Sequence, residues 1–277
     1  MQGMVSRADL RGYAEAAART ALEAGAFLAR HVGRAGSVRT KRSPIDLVTK
    51  IDRASERLIR TRLRRAYPRA GFLGEEHGEE RADAPERWIV DPLDGTNNFV
   101  HGLPIFGVSI GLERRGPPAS GGTLLVGVIY DPMRRELFVA TRGGGAFLNG
   151  RRIRVSPARR LARSLLSTGF SSKFLTRDQP YLDWFRALQR HSHGVRRIGS
   201  SVWCLAAVAA GRLEGFYERD LWPWDMAAGM LLVEEAGGRV TTLNGSPATL
   251  GRGQLVASNG WIHRELLERL RMSDRGG

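Results

Sequence analysis

Cysteine is almost missing from this chain: Cys204 is the single one among 277 residues. That excludes an internal disulfide framework and a cysteine-rich zinc site. Lysine is nearly as scarce, with only Lys41, Lys50 and Lys173, so 40 of the 43 basic residues are arginine. No apolar run approaches the roughly 18 residues that mark a membrane span. Near the N-terminus, Arg7, Asp9, Arg11, Glu15, Arg19 and Glu23 interrupt any apolar stretch of the signal-peptide kind. These absences predict a soluble, cytoplasmic protein without a membrane partner. The 34 glycines and 12 prolines follow no period, which excludes a collagen-like chain.

What is present has globular proportions, 42% hydrophobic and 26% charged. At roughly 100–200 residues per domain, the length allows one large domain or two modest ones. The formal charge of +15 comes from 43 basic against 28 acidic residues. Such a balance favours a polyanionic partner. The arginines are spread along the chain rather than gathered in a tail, and that points instead to a solvated, arginine-biased surface as the preferred reading. A phosphate-bearing substrate would be drawn to the same field.

Leu10, Tyr13, Ala14, Ala17, Ala21 and Leu28 recur at helical spacing and predict a helix over 7–32, opened by a capping box of Ser6 and Asp9. Ile51, Ala54, Leu58, Ile59, Leu63 and Tyr67 predict a second helix, which Pro68 closes. From residue 88 the period shortens. Strands are expected over 88–90, 106–112, 124–130, 137–140 and 146–148, with Asn149-Gly150 as a hairpin turn. The first half therefore reads as two helices followed by a largely antiparallel sheet. Beyond it, strands at 165–167, 195–198, 214–217, 239–243 and 254–257 alternate with helices at 180–190, 201–210, 225–236 and 261–270. The expected organisation is an N-terminal half, 1–155, and a C-terminal half, 156–277, packed as one compact unit.

The segment Asp91-Pro92-Leu93-Asp94-Gly95-Thr96 is the most informative in the chain. Pro92 biases Asp91 away from helical geometry, where an apolar strand arrives. A turn there can aim both carboxylates and the Leu93 carbonyl at one point. These are hard oxygen ligands, suited to Mg²⁺. Gly95 permits close backbone approach, and the N–H groups of Gly95 and Thr96 can face an anion if a helical turn begins there. Carboxylates for a metal beside N–H groups for phosphate are the equipment of metal-assisted phosphoryl transfer. Three further acidic segments fit the same picture: Asp46 to Asp52, Gly74-Glu75-Glu76, and Trp224-Asp225 at a helix start. Each alone is more often a solvated loop or a helix cap.

Taken together, these segments resemble the inositol monophosphatase family. Asp46-Leu47-Val48-Thr49-Lys50-Ile51-Asp52 is similar to its first motif, and Gly74-Glu75-Glu76 to its second. Residues 88–102, from Trp88 through the Asp91 segment to Asn97-Asn98-Phe99-Val100-His101-Gly102, are similar to its signature. Trp224-Asp225-Met226-Ala227-Ala228-Gly229 with Glu234-Glu235-Ala236-Gly237-Gly238 is similar to its C-terminal motif. The resemblance implies an αβαβα five-layered sandwich, a homodimer, and Mg²⁺-dependent, Li⁺-sensitive hydrolysis of a phosphate monoester. It implies that Glu75, Asp91 and the Leu93 carbonyl hold a first metal, and that Asp91, Asp94 and Asp225 hold a second. Glu75 would help place a third. The Gly95 and Thr96 N–H groups would take phosphate, and Thr96, hydrogen-bonded to Asp52, would orient the attacking water. Glu218 and Gly199-Ser200-Ser201 would lie beside the polyol. The signature points to inositol monophosphate, with other polyol and sugar monophosphates accepted. Histidinol phosphate, fructose 1,6-bisphosphate and phosphoadenosine phosphate are the alternatives within the same chemistry, and Arg197, Arg219 and Trp222 near the expected mouth can shift the preference.

Competing signals are weaker. Gly107-Val108-Ser109-Ile110-Gly111 fits a serine-hydrolase pattern, but Ser109 falls inside an alternating strand rather than at an elbow. His191-Ser192-His193 lacks a third metal ligand nearby, and Cys204 lies on an apolar helix. Gly143-Gly144-Gly145 suits a hairpin better than a nucleotide loop. An RNA-binding or regulatory role rests on the arginine surplus alone.

Overall fold

The computed structural model describes residues 6–33, 38–40, 47–116, 122–170, 179–251 and 253–273. Helix α1 (Arg7–Ala29) starts at the expected capping box: the Asp9 N–H donates to Ser6 Oγ at 3.1 Å and the Ser6 N–H to Asp9 Oδ2 at 3.1 Å. Its buried stripe, Ala14, Ala17, Ala21, Ala24 and Leu28, is mostly alanine, which lets the helix lie close on the sheet. A short antiparallel pair, β1 (Val38–Thr40) and β2 (Leu47–Thr49), leads into α2 (Lys50–Ala66). Ile59 and Leu63 of α2 are buried, and so are Asp52, Ser55 and Glu56 on the preceding turns.

An eight-stranded sheet follows. Its strands are β3 (Gly71–Gly74), β4 (Gly78–Glu80), β5 (Glu86–Asp94), β6 (Gly107–Arg114), β7 (Thr123–Asp131), β8 (Glu136–Thr141), β9 (Gly145–Leu148) and β10 (Arg151–Arg152). They lie in the order β10-β9-β8-β7-β6-β5-β3-β4, antiparallel except for β3 beside β5. The five-stranded sheet is mixed, in the order β12-β11-β13-β15-β14. Its strands are β11 (Leu165–Thr168), β12 (Gly194–Arg197), β13 (Gly215–Leu221), β14 (Arg239–Thr241) and β15 (Gly253–Ser258). Helices α3 (Thr96–Val100), α4 (Gln179–His191), α5 (Ser201–Ala209), α6 (Pro223–Glu235) and α7 (His263–Ser273) complete the described elements.

Three apolar cores stack these pieces into five layers. Helices α1 and α2 cover one face of the eight-stranded sheet. Helices α5 and α6 fill the space between the two sheets. Helices α4 and α7 cover the outer face of the five-stranded sheet. This is the αβαβα sandwich expected. Helix α6 is buried on nearly every side, from Trp224 to Val233, because it has a sheet on both flanks. The fit is tight: a Cβ on Gly127 of β7 would lie 2.6 Å from the Ala228 carbonyl oxygen. No described helix is long and apolar enough to cross a membrane.

Some boundaries differ from expectation. Strand β5 does not stop at Asp91 but runs through Pro92 to Asp94, with a bulge: Asp91 pairs with Ser109 and Asp94 with Gly107. A bulge tolerates a proline because its residue needs no ladder bond. Helix α6 begins at Pro223, two residues before Asp225, since proline suits the first helical position. Strands β1 and β4 carried too little apolar pattern to be read.

Candidate active site

The bulge in β5 builds the centre of the site. It leaves Asp91 2% exposed, with Oδ1 accepting the Leu93 N–H at 2.9 Å across the proline. Beyond it, Gly95 adopts φ +87 and opens helix α3, and a Cβ there would lie 3.0 Å from the Ile105 carbonyl oxygen. Thr96 is therefore the first helical residue. Its hydroxyl lies 3.1 Å from Asp52 Oδ1 on α2 and 3.1 Å from the Leu93 carbonyl oxygen. The leading N–H groups of a helix have no partner within it, so this turn can receive an anion.

Asp94 points away from its own sheet to the start of α5. It accepts hydrogen bonds from the Ser200 hydroxyl, from Ser201 Oγ at 3.1 Å and from the Val202 N–H at 3.1 Å. Ser200 is also the N-cap of α5, its Oγ accepting the Trp203 N–H at 3.1 Å. A carboxylate at a helix N-terminus is held by the dipole as well as by these donors. Asn98 ties the same junction, donating to the carbonyls of Ile105 at 2.8 Å and Ile198 at 2.9 Å. Gly199, at φ +83, turns the chain there. Asp225 stands in the first turn of α6 and accepts the Trp222 N–H at 2.7 Å.

One oxygen each from Asp91, Asp94 and Asp225 lies within 4.8 Å of the others. Glu75 follows β3, its N–H donating to the Val90 carbonyl at 3.3 Å. Burial drives the carboxyls of Asp91 and Asp225 well above the ordinary range, and the charge of Glu75 pushes both further up. Burial raises Asp94 too, against the lowering hydrogen bonds of Ser200 and Ser201. Crowded carboxylates resist ionising together unless a cation joins them. An all-oxygen donor set under that strain fits a hard divalent ion.

Glu218 comes from β13, beside an irregularity between Glu218 and Leu221. Its carboxyl is pushed up to about 8, first by burial and then by Asp94, with Arg197 pulling the other way. A Cβ on Gly169 would lie 2.1 Å from Glu218 Oε2, so the backbone at Gly169 walls that carboxylate. Arg197 lies over Phe170 at 5.8 Å, Arg219 over Trp184 at 5.6 Å, and Trp222 stacks on Trp224 with ring centroids 5.3 Å apart.

Thus Asp91, Asp94 and Asp225 converge from β5 and α6, the charge of Glu75, just after β3, bears on Asp91 and Asp225, and Thr96 is joined to Asp52. Asp46 lies outside the described residues. Ser55, Glu56, His77 and Gly169 are not among the residues singled out from the sequence. A signal for the first two existed: they lie three or four residues before Ile59, on the stripe that faces the core. The competing signals have structural explanations. Ser109 Oγ donates to the Trp224 carbonyl at 3.2 Å, inside β6. The N–H groups of Gly143 and Gly145 both bond the Glu235 carboxylate at 2.8 Å. Cys204 is buried, which pushes its thiol up and away from reactivity. His191 is exposed and pairs Nδ1 with the Ala187 carbonyl at 2.6 Å.

Comparison with known proteins agrees with this geometry. The model of the inositol monophosphatase family matches residues 9–274. An inositol-1-monophosphatase of Rhizobium meliloti is 45% identical over 89% of this chain and 91% of its own length. A protein of Pseudomonas aeruginosa named Nus factor SuhB is 43% identical over 91% of this chain and 93% of its own. The crystal structure of the extragenic suppressor protein SuhB from Bartonella henselae superposes with a TM-score of 0.87 at 41% identity, covering 95% of this chain and 98% of that one. With its motifs in order, its carboxylates converged and nearly its whole length matched, the chain belongs to the inositol monophosphatase family of phosphoric monoester hydrolases.

Proposed function

We propose that this chain hydrolyses inositol monophosphate, together with related polyol and sugar monophosphates, in a Mg²⁺-dependent reaction. The observation that carries the reading is the cluster of Asp91, Asp94 and Asp225, with the charge of Glu75 bearing on two of the three. In this reading Glu75, Asp91 and the Leu93 carbonyl hold one ion, and Asp91, Asp94 and Asp225 a second. Glu75 assists a third. When bound, Mg²⁺ supplies positive charge to the phosphate oxygens and makes water more acidic near neutral pH. The protein's own groups do the rest. The Gly95 and Thr96 N–H groups seat the phosphate at the start of α3. Asp52 orients the Thr96 hydroxyl, which accepts the proton of the incoming water as the Thr96 proton passes towards Asp52. Glu218 accepts hydrogen bonds from the polyol hydroxyls, and Gly199, Ser200 and Ser201 form the wall beside it.

Phosphate release from inositol 1-phosphate, histidinol phosphate, fructose 1,6-bisphosphate and phosphoadenosine phosphate tests the reading, with and without Mg²⁺ and with added Li⁺. Mg²⁺-dependent, Li⁺-sensitive turnover led by inositol 1-phosphate is the expected result. Another leader among the four moves the substrate and keeps the mechanism. The homodimer and the cytoplasmic setting belong to the same proposal. Light scattering tests the first, and the single cysteine, Cys204, buried and outside any disulfide, suits the second.

A second reading has one observation of its own. Arg60, Arg64, Arg65 and Arg81 line a concavity of about 450 Å³ near the C-terminal end of α2, with Arg60 and Arg64 paired to Glu80. With the Nus factor name of the Pseudomonas relative, that basic face supports a nucleic-acid or regulatory partner in addition to the enzyme. RNA retention that persists at moderate salt and is lost on replacing these arginines is the result that would establish it.

A further inference from the structure

Helix α2 contributes a polar face to the interior. Asp52, Ser55 and Glu56, at positions i, i+3 and i+4, are all 0% exposed. Each reaches a different segment of the site. Asp52 meets the Thr96 hydroxyl at the start of α3. Ser55 Oγ donates to the Pro92 carbonyl at 2.9 Å, in the bulge between Asp91 and Asp94. Glu56 grips the turn after β3: Oε2 accepts the Glu76 N–H at 2.8 Å, and Oε1 accepts the His77 N–H at 2.9 Å and lies 2.5 Å from His77 Nδ1.

A carboxylate stripped of water is costly unless donors replace the water. Glu56 has three, two of them backbone N–H groups of one turn, and charge-assisted bonds of this kind are the strong ones. The turn is built around it. A Cβ on Gly74 would lie 2.6 Å from the Glu56 carboxyl carbon, so only glycine leaves room. Glu75 sits between these anchors. Its own N–H is bound to the Val90 carbonyl, and the next N–H along the chain is bound to Glu56.

We propose that Glu56 and Ser55 are positioning residues for the metal site: Glu56 fixes the turn that presents Glu75, and Ser55 fixes the Pro92 carbonyl between Asp91 and Asp94. This inference rests on the reading of Glu75 and Asp91 as metal ligands. Helix α2 thereby sets the spacing between three segments that are far apart in the chain, in addition to covering the sheet.

The test is Mn²⁺ binding to the full chain, followed by electron paramagnetic resonance, for Glu56→Gln, Ser55→Ala, Glu75→Gln and the double variant Glu56→Gln/Glu75→Gln. Glutamine offers one acceptor oxygen, so one N–H of the turn loses its partner. Glu56→Gln is expected to weaken Mn²⁺ binding about 10-fold, the scale of groups that orient metal ligands. Its kcat should recover at saturating Mg²⁺, while KM for the phosphate ester stays put. In the Glu75→Gln background the same change should cost nothing further, because the ligand it orients is gone. Ser55→Ala should weaken binding a few-fold. Glu113→Gln, a buried carboxylate paired with Arg87 elsewhere in the sheet, should leave Mn²⁺ affinity unchanged.

If Glu75→Gln itself binds Mn²⁺ normally, the ligand reading fails. If Glu75→Gln binds weakly but Glu56→Gln binds like wild type, the positioning role is overturned. It is equally overturned if the Glu56→Gln loss persists undiminished in the double variant, or matches that of Glu113→Gln. Unchanged affinity in Ser55→Ala overturns the role of Ser55, and it decides the matter should Glu56→Gln prove too unstable to measure.

Discussion

Two Asp-Pro pairs lie in the same sheet, one strand apart, and meet opposite fates. Asp131-Pro132 ends β7 and Asp91-Pro92 lies in the bulge of β5; their aspartates are 1% and 2% exposed. Asp131 is surrounded by donors. It accepts the N–H groups of Met133 at 2.9 Å and Arg134 at 3.0 Å, the Arg134 guanidinium at 2.9 Å and Trp203 Nε1 at 3.1 Å. Asp91 accepts the Leu93 N–H and otherwise faces the charges of Glu75, Asp94 and Asp225. The protein completes the first carboxylate itself and leaves the second among like charges. The same dipeptide is thus a structural lock in one place and a candidate metal ligand in the other, and the neighbours decide which.

The sharpest way to break that comparison is to make one substitution at both positions. Asp91→Asn should cut turnover by more than about 100-fold, since loss of a ligand exceeds the 10–100-fold cost of disturbing its supports. Asp131→Asn should leave the turnover of folded molecules within about threefold, as phosphate release per active protein will show. In stability the order reverses. Asp131→Asn should cost about 2–3 kcal/mol in urea unfolding, because Arg134 and Trp203 lose a charged partner. Metal-free Asp91→Asn should unfold at a higher urea concentration than wild type, because it removes one of the crowded charges while Asn can still accept the Leu93 N–H. Equal destabilisation of both variants would erase the distinction.

Metal and pH sharpen it further. The raised carboxyls of Asp91 and Asp225 stabilise the metal-free protein fully below the ordinary carboxylate range. That stability is lost as pH rises through their elevated folded values. A divalent ion needs the ionised forms, so its binding releases protons and strengthens with pH. Thermal unfolding at pH 6 and pH 8 should show the larger Mg²⁺-induced gain at pH 8, about 2.7 kcal/mol at 100 times the dissociation constant. Asp131→Asn should keep this pattern and Asp91→Asn should lose much of it.

The smallest effect is at Glu218. Its stabilising contribution is present below about 4.5 and lost as pH rises through about 8. Metal-free Glu218→Gln should therefore gain on wild type across that window in thermal melts. In the active enzyme the variant should change the ranking of phosphate esters more than it lowers the best rate. An equal loss on every ester would remove Glu218 from polyol recognition.

Much of the site was legible because it is local. Asp91, Leu93, Asp94, Gly95 and Thr96 fall within six consecutive positions, so their order and spacing are visible without the partner strand that makes the bulge. The helices α1 and α2 were legible from their apolar period. Ser55 and Glu56 were not singled out, since a serine and a glutamate on an arginine-rich helix read as solvated until the helix is docked. Strand β4, Gly78–Glu80, has no apolar residue to announce it and exists because β3 offers an edge. The hold of Ser200, Ser201 and Val202 on Asp94 spans more than 100 residues and has no local signature.

By itself, then, the order of residues determined the long helices and the apolar strands, where the acidic motifs fall and what chemistry their oxygens suit. Those depend on side-chain period, on proline and glycine backbone limits and on ligand hardness, all properties of short stretches. Only the tertiary structure decided which carboxylates are left to face one another. That depends on which donors arrive from distant elements: α5 for Asp94, α2 for the turn beside Glu75, and Arg134 with Trp203 for Asp131. A buried charge is settled by every group within a few ångströms, and those groups become neighbours only when the layers close.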